Sequence, residues 1–162
     1  MWIANLTEEF FSKPHDYISI NTISQDFLEE VANLNLFKKK FLYDPSPHIS
    51  KSFIREKGFE NISKNFAKSI KVNIASSFGV IDRVFSPQNF LKKASSFLIE
   101  GGIFFITAST ISGFDLQILW NKSKSIYPPD RINLISTEGF TKLFEENGFK
   151  IIEISTPGQL DI

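Results

Sequence analysis

The clearest sign of the fold lies in residues 17–28, which read YISINTISQDFL. The first four residues are apolar apart from one serine, which is typical of a buried strand. The apolar residues that follow are three or four positions apart, as on one face of a helix: Phe27, Leu28, Val31 and Leu34. We therefore predict a strand over 17–20, a tight turn, and then an amphipathic helix.

The same alternation of short apolar strands and amphipathic helices continues along the chain. We predict further strands over 41–43, 59–62, 70–75, 103–107 and 149–154. Helix starts are predicted at Ser46, at Ser86, and at Ser136 or Thr137. The lysine run at 38–40 is interpreted as the end of a helix. This order of elements predicts a mostly parallel sheet with helices on both faces, a three-layer α/β/α sandwich.

The size of the chain, 162 residues with 42% hydrophobic content, predicts a single domain over 1–162. Residues 1–15 are its N-terminal lead-in. The stretch over 108–134 is a long connection, of the kind that carries function or forms a short helix of its own.

Charge and cysteine content narrow the classes of function. The formal net charge is zero, so nothing in it favours nucleic acid or an anionic membrane as a partner. The absence of cysteine excludes disulfides, thiolate zinc sites and cysteine nucleophiles. The two histidines, His15 and His48, have no ligand spacing, so we predict no metal site. The N-terminus has no secretory signal and the chain no long apolar run, and we expect a cytoplasmic location.

Three later phrases, in order, resemble the class I S-adenosylmethionine-dependent methyltransferases. Residues 43–47 read YDPSP, residues 78–84 read FGVIDRV, and residues 90–105 run from a helix through a glycine pair into a strand. The resemblance covers roughly 17–162 and implies a Rossmann-like methyltransferase fold. It also implies S-adenosylmethionine as cofactor and methyl transfer to a small acceptor, with a sugar-linked one as one option.

The resemblance implies a set of cofactor-binding residues, but the glycines of the family's first turn are absent. That turn is an acid followed by G-x-G-x-G. Here Ser19 takes the place of the acid, and Asn21, Ile23 and Gln25 take the glycine places. Ile23 is β-branched, so a positive φ there is expected to be strained, and its side chain is expected to occupy cofactor space. The implied contacts are Ile20, Asn21, Ile23 and Gln25 with the methionine end, Asp44 with the ribose, and Asn65, Phe66 and Phe78 with the adenine.

The resemblance also implies an acceptor side formed by Asp82, Arg83 and Arg131. The family often has Glu-His where this chain has Asp82 and Arg83, and a histidine where it has Arg131. An arginine cannot act as a base at ordinary pH, but it can hold an anion through two hydrogen bonds. The alternative is that both arginines are solvated loop residues.

A second function remains open from the sequence. The family ends its sheet with an antiparallel hairpin, and this chain reaches only the first of those strands, at 149–154. The missing last strand would leave an open sheet edge, to which a second copy or a partner protein could add a strand. Together with the crowded first turn, this supports the alternative of a catalytically inactive methyltransferase-like domain that serves as a partner-binding or scaffold module. A nicotinamide oxidoreductase is disfavoured, because it needs the same absent glycines.

Overall fold

The computed structural model describes residues 15–34, 36–62, 69–119, 122–123 and 129–155. The strands are β1 (His15–Ile20), β2 (Phe37–Tyr43), β3 (Phe59–Ile62), β4 (Val72–Phe78) and β5 (Leu98–Thr107). The helices are α1 (Gln25–Asn33), α2 (Lys51–Glu56), α3 (Pro87–Phe97), α4 (Phe114–Leu119) and α5 (Thr137–Glu146). Strands and helices alternate from β1 to β3 and again from β4 to α4, and the α/β fold class is confirmed.

The five strands form one sheet in the order β3-β2-β1-β4-β5. The pairs β1–β2, β1–β4 and β2–β3 are parallel. The chain therefore runs outward from β1 through β2 to β3 and then returns to place β4 on the other side of β1. In open α/β sheets, ligands bind outside the carboxyl ends of the strands at such a reversal, so this sheet has its candidate site beyond β1 and β4.

The chain divides into two compact units. The first contains the described residues from 15 to 78 together with 93–106, and the second contains 79–92 and the described residues from 107 onward. The core of the first unit is fully buried and includes Tyr17, Leu28, Val31, Leu42 and Ile74. The prediction of a single domain over 1–162 stays a prediction.

Two predicted helix boundaries are wrong. Residues 38–40 do not end a helix but lie within β2, where pairing with β1 begins at the register His15 to Phe37. Backbone pairing in the sheet outweighs the low strand propensity of lysine. Helix α2 is capped by Ser50, whose hydroxyl accepts from the Phe53 amide at 3.2 Å, and not by Ser46. The Ser46 amide instead donates to the Thr22 carbonyl at 2.8 Å, which holds residue 46 in the loop.

The strand predictions differ in accuracy. The third strand falls at 59–62 as predicted, whereas β4 begins and ends later than 70–75. The glycine pair at 101–102 lies inside β5 instead of ending α3. A Cβ at Gly102 would lie 3.0 Å from the Asn73 carbonyl oxygen, so glycine permits the close approach of β5 to β4.

The C-terminal part of the described chain has the predicted helices but lacks the predicted strand. Ser86 and Ser136 accept hydrogen bonds from amides in the first turns of α3 and α5, as predicted. The long connection contains the short helix α4. Residues 149–154 do not form a strand, and the side chains of Ile152 and Ile154 are more than half exposed. An apolar sequence pattern alone does not form a strand where no neighbouring strand pairs with it.

Candidate functional site

The turn between β1 and α1 places its left-handed residue at Asn21. Asn21 has φ +53°, whereas Ile23 lies outside the positive-φ region. Asparagine tolerates the left-handed conformation far better than a β-branched residue does. The expectation of backbone strain at Ile23 is therefore wrong: the chain makes its tight turn without glycine by giving the demanding position to Asn21.

The rest of this turn is fixed by hydroxyl groups. The Ser24 hydroxyl caps α1 by accepting from the Phe27 amide at 3.2 Å, which leaves Gln25 as an exposed first residue of the helix. Thr22 is buried and its hydroxyl is hydrogen-bonded to that of Ser19. Ser19, at the position where the family has an acid, thus binds the turn back onto its own strand.

A buried chain of hydroxyls continues from Ser19 into the sheet. The Ser19 oxygen lies 3.3 Å from that of Ser76 in β4, and Ser76 in turn lies 2.5 Å from the phenol oxygen of Tyr17. Burial raises the pKa of Tyr17 to about 12, so the phenol stays neutral across the physiological range. The sequence did not indicate that Tyr17, Thr22 and Ser76 belong to the hydrogen-bonded chain beneath this turn. The only signal was the presence of small polar residues within apolar strands.

A cavity of about 220 Å³ lies against this turn. It is lined by Ser19, Thr22, Ile23, Ser24, Phe27 and Phe78. The rings of Phe27 and Phe78 meet edge to face, with centroids 4.6 Å apart. Of the predicted cofactor residues, Ile23 and Phe78 come together here, whereas Ile20 is 1% exposed and belongs to the core.

A larger cavity of about 490 Å³ lies beyond the ends of β2 and β3. Asp44, the first residue after β2, stands at its rim, and the apolar side chains of Ile49, Ile54 and Ile62 form part of its lining. Asn61 adds a side-chain amide. Apolar walls with a carboxylate and an amide suit a ligand that combines a flat apolar ring with hydroxyl groups. The isoleucines and Asn61 were not predicted as site residues from the sequence.

Asp44 is bound directly to the first turn. Its backbone is left-handed, with φ +51°, and its Oδ2 accepts from the side-chain amide of Asn21 at 3.3 Å. The Asn21 backbone amide donates to the Tyr43 carbonyl at 2.8 Å. Two predicted cofactor residues from neighbouring strands are thus in contact. Asn65 and Phe66 lie outside the described residues.

The predicted acceptor residues form a separate cluster in the second unit. Asp82 is 1% exposed, and its Oδ2 lies 3.6 Å from Nε of Arg131 and 3.4 Å from the Ser109 amide. Its backbone carbonyl accepts from the amides of Ile132 and Asn133, each at 2.9 Å. Arg83 donates to Asp130 at 2.7 Å. The structure therefore places Asp82, Arg83 and Arg131 in two ion pairs, Asp82 with Arg131 and Arg83 with Asp130.

The pair of Asp82 with Arg131 leaves one carboxylate oxygen without a hydrogen bond from the described residues. Oδ1 of Asp82 is buried and has no hydrogen-bond partner among the described residues. Asn133 supports the same loop by donating from its side chain to the Val84 carbonyl at 2.5 Å. Asp130 and Asn133 were not predicted from the sequence, because both lie some fifty residues from their partners along the chain.

A family model described as a methyltransferase domain matches residues 3–154. Because the match spans nearly the whole chain, the chain belongs to the class I S-adenosylmethionine-dependent methyltransferases, as its sequence phrases indicate. Methyl transfer from S-adenosylmethionine is the reaction of that family.

Solved structures of methyltransferases share the fold. A "possible histamine N-methyltransferase" from Thermotoga maritima is 19% identical, with a TM-score of 0.61, over 90% of this chain and 69% of that one. A "putative methyltransferase" from Bacillus halodurans is 17% identical, with a TM-score of 0.69, over 93% and 70%. A chain from the complex of the Haloferax volcanii Trm112 methyltransferase activator with its "putative methyltransferase" is 16% identical, with a TM-score of 0.68, over 98% and 73%. Identities this low establish the fold alone.

No curated protein matches the chain. Within the described ranges, no group of three His, Asp or Glu side chains is arranged to hold a metal ion. No helix in the described part of the chain has the length and hydropathy needed to cross a bilayer.

Proposed function

We propose that this chain transfers a methyl group from S-adenosylmethionine to a small acceptor. The observation that carries the proposal is the Asn21–Asp44 contact at the rim of the 490 Å³ cavity, at the carboxyl ends of β1 and β2. A carboxylate at the end of the second strand is the group that receives ribose hydroxyls in nucleotide-binding α/β folds. The residues present therefore fit an adenosyl cofactor.

In this proposal the first unit holds the cofactor. Asp44 accepts the ribose hydroxyls, while Ile49, Ile54 and Ile62 offer apolar contact to the adenine. The turn that follows the buried Ile20, with Asn21, Ile23 and Gln25, faces the methionine end. Phe78 lines the smaller cavity together with Ile23, so we place it beside that end as well. When bound, the cofactor supplies an activated sulfonium methyl group, and the protein acts mainly by positioning.

The acceptor side is proposed to be formed by Asp82, Arg83 and Arg131, at the positions that the family often gives to acceptor-handling residues. Oδ1 of Asp82, which has no hydrogen bond from the described residues, can accept a hydrogen bond from an acceptor hydroxyl, or take its proton. Arg83 and Arg131 are each paired with an aspartate, so their charge alone does not select an anionic acceptor, and a small, sugar-linked molecule stays the proposed one. A cytoplasmic location remains part of this proposal.

Calorimetric titration with S-adenosylmethionine and S-adenosylhomocysteine tests the proposal. A ligand at one hundred times its dissociation constant stabilises the folded state by about 2.7 kcal/mol, so the melting temperature should rise as well. Saturable heat together with a raised melting temperature supports cofactor binding. The absence of both at millimolar ligand overturns the proposal.

The second candidate is an inactive methyltransferase-like domain that binds a partner. It is favoured by Ile23, which takes a glycine place, lines the smaller cavity and is 46% exposed. In the described sheet, β3 and β5 are the outer strands, and either edge can receive a strand from a second copy or from another protein. The Haloferax methyltransferase complex with an activator protein gives a precedent for a protein partner.

Two measurements separate the candidates. Transfer of a labelled methyl group to a panel of small sugar-linked acceptors supports the enzyme. Sedimentation that shows a dimer, together with the absence of both ligand binding and methyl transfer, supports the partner-binding module.

A further inference from the structure

We propose that Asn21 is a positioning residue that sets the orientation of the Asp44 carboxylate, and through it the preference of the site for a ribose over a deoxyribose. The inference rests on the proposed function, because it concerns the nucleoside end of that site. It assigns a definite role to a residue that stands where the family has a glycine.

The first support is backbone geometry. Among the described residues other than glycine, positive φ occurs at Asn21 and at Asp44. Each follows directly after a strand, and the two strands are parallel neighbours, with Ile20 opposite Tyr43. Residues of this type in the left-handed region cost some free energy and persist where surrounding contacts hold them. The two strained positions therefore lie side by side.

The second support is the set of hydrogen bonds between the two loops. The Asn21 amide donates to the Tyr43 carbonyl at 2.8 Å, and the Ser46 amide donates to the Thr22 carbonyl at 2.8 Å. The Asn21 side chain adds a third bond, to Oδ2 of Asp44 at 3.3 Å. The first two bonds fix the backbones of the two loops. The third bond therefore affects the orientation of the Asp44 carboxylate and not the path of the backbone.

The third support is exposure. Asp44 is exposed, and an exposed carboxylate is otherwise able to rotate about its side-chain bonds. A bond from a neutral amide to Oδ2 restricts that rotation without neutralising the charge. It leaves Oδ1 as the oxygen with no hydrogen-bond partner in the described part of the chain, available to a sugar hydroxyl. A glycine at position 21 could form the same turn but could not hold the carboxylate.

The consequence is discrimination between sugars. A site built to hydrogen-bond a hydroxyl group rejects an analogue that lacks it, because its own polar group is left unpaired. Bonds to a charged acceptor are the stronger kind. We expect the protein to bind adenosine at least about tenfold more tightly than 2′-deoxyadenosine or 3′-deoxyadenosine, and Asn21→Gly to reduce that ratio by at least about threefold.

The experiment is a calorimetric titration of the full chain with adenosine and both deoxyadenosines. The test variant is Asn21→Gly, which keeps the left-handed turn. The control is Asn33→Gly at the exposed end of α1, which removes an amide far from Asp44. The melting temperature without ligand shows whether each variant folds. A merely structural role of Asn21 would weaken the binding of all three nucleosides equally and leave the ratio of their affinities unchanged.

A double-mutant cycle completes the test. Once Asp44→Ala has removed the carboxylate, adding Asn21→Gly should leave the ratio unchanged. If the wild type discriminates between the sugars and Asn21→Gly discriminates equally well, the positioning role is overturned while the proposed function stands. If the wild type binds none of the nucleosides and no S-adenosylhomocysteine, the proposed function fails, and this inference fails with it.

Discussion

The phenol of Tyr17 and the hydroxyl of Ser76 are hydrogen-bonded at 2.5 Å inside the sheet, where both side chains are fully buried. This bond joins β1 to β4 beneath the turn that forms the candidate cofactor site. It also makes the stability of the sheet depend on the protonation of one phenol.

We predict that stability falls at high pH because of Tyr17. Its pKa is raised by burial from 10.0 to about 12 in the folded state. Between these pH values the phenol has lost its proton in the unfolded chain and kept it in the folded chain. The contribution of Tyr17 to the free energy of unfolding is therefore fully present below pH 10 and is lost as the pH rises toward 12. Two pKa units correspond to about 3 kcal/mol. Urea denaturation from pH 8 to 11.5 measures how the free energy of unfolding depends on pH. Tyr17→Phe should remove the decrease at high pH, and Tyr43→Phe should retain it. An equal dependence on pH in the two variants would contradict the assignment to Tyr17.

We predict that Ser50 and not Ser46 caps the second helix. Ser50→Ala removes the hydroxyl that accepts from the Phe53 amide and should lower the free energy of unfolding by about 1 kcal/mol. Ser46→Ala should cost less than half as much, because the hydroxyl of Ser46 makes a long, exposed hydrogen bond of 3.4 Å with the His48 amide, while its shorter bond to the Thr22 carbonyl is made by the backbone and is retained. Chemical denaturation of both variants decides between them, and a larger loss for Ser46→Ala would restore the boundary expected from the sequence.

We predict that Asp82 matters for stability and Asp130 does not. Asp82→Asn removes a buried charge beside Arg131 and should cost about 1–3 kcal/mol. Asp130→Asn breaks a pair whose side chains are 34% and 42% exposed, which should cost less than about 1 kcal/mol. Denaturation at low and high salt tests the pair, since added salt should reduce the effect of Asp130→Asn and leave that of Asp82→Asn. Similar losses in both variants would mean that burial of Asp82 has no energetic role.

We predict that Ile23 weakens cofactor binding by occupying space. Ile23→Gly should increase the affinity for S-adenosylhomocysteine by about tenfold, because it removes a side chain from the lining of the smaller cavity. The control Ile18→Val changes a buried apolar side chain in β1, the strand that precedes this turn, and should leave affinity unchanged. Unchanged affinity in Ile23→Gly would show that the missing glycine is not the obstacle.

The sequence predicted the parts of the fold that depend on local pattern. The strand at 59–62, the starts of helices at Ser86 and Ser136, and the α/β class all follow from apolar spacing and capping residues. The errors occur where a distant partner decides. Residues 38–40 become strand because β1 lies beside them, whereas residues 149–154 pair with no strand in the described part of the chain.

The residues of the candidate site stay predictions, and their contacts could not be read from the sequence. The family resemblance implied Asp44 and Asn21 as cofactor residues, yet nothing in the sequence shows that the side chain of one binds the other. The left-handed turn at Asn21, in place of strain at Ile23, depends on how the backbone closes between β1 and α1. The buried hydroxyls of Ser19, Thr22 and Ser76 belong to different elements and meet only in the folded sheet.

The central claim, that the cavity beside Asp44 holds an adenosyl cofactor, is tested most directly by titrating S-adenosylhomocysteine into wild type and Asp44→Ala, with Asp26→Ala as the control. We predict saturable binding to the wild type and to Asp26→Ala, and binding at least about tenfold weaker in Asp44→Ala. Absence of binding to the wild type at millimolar ligand, or equal affinity in all three proteins, would contradict the account.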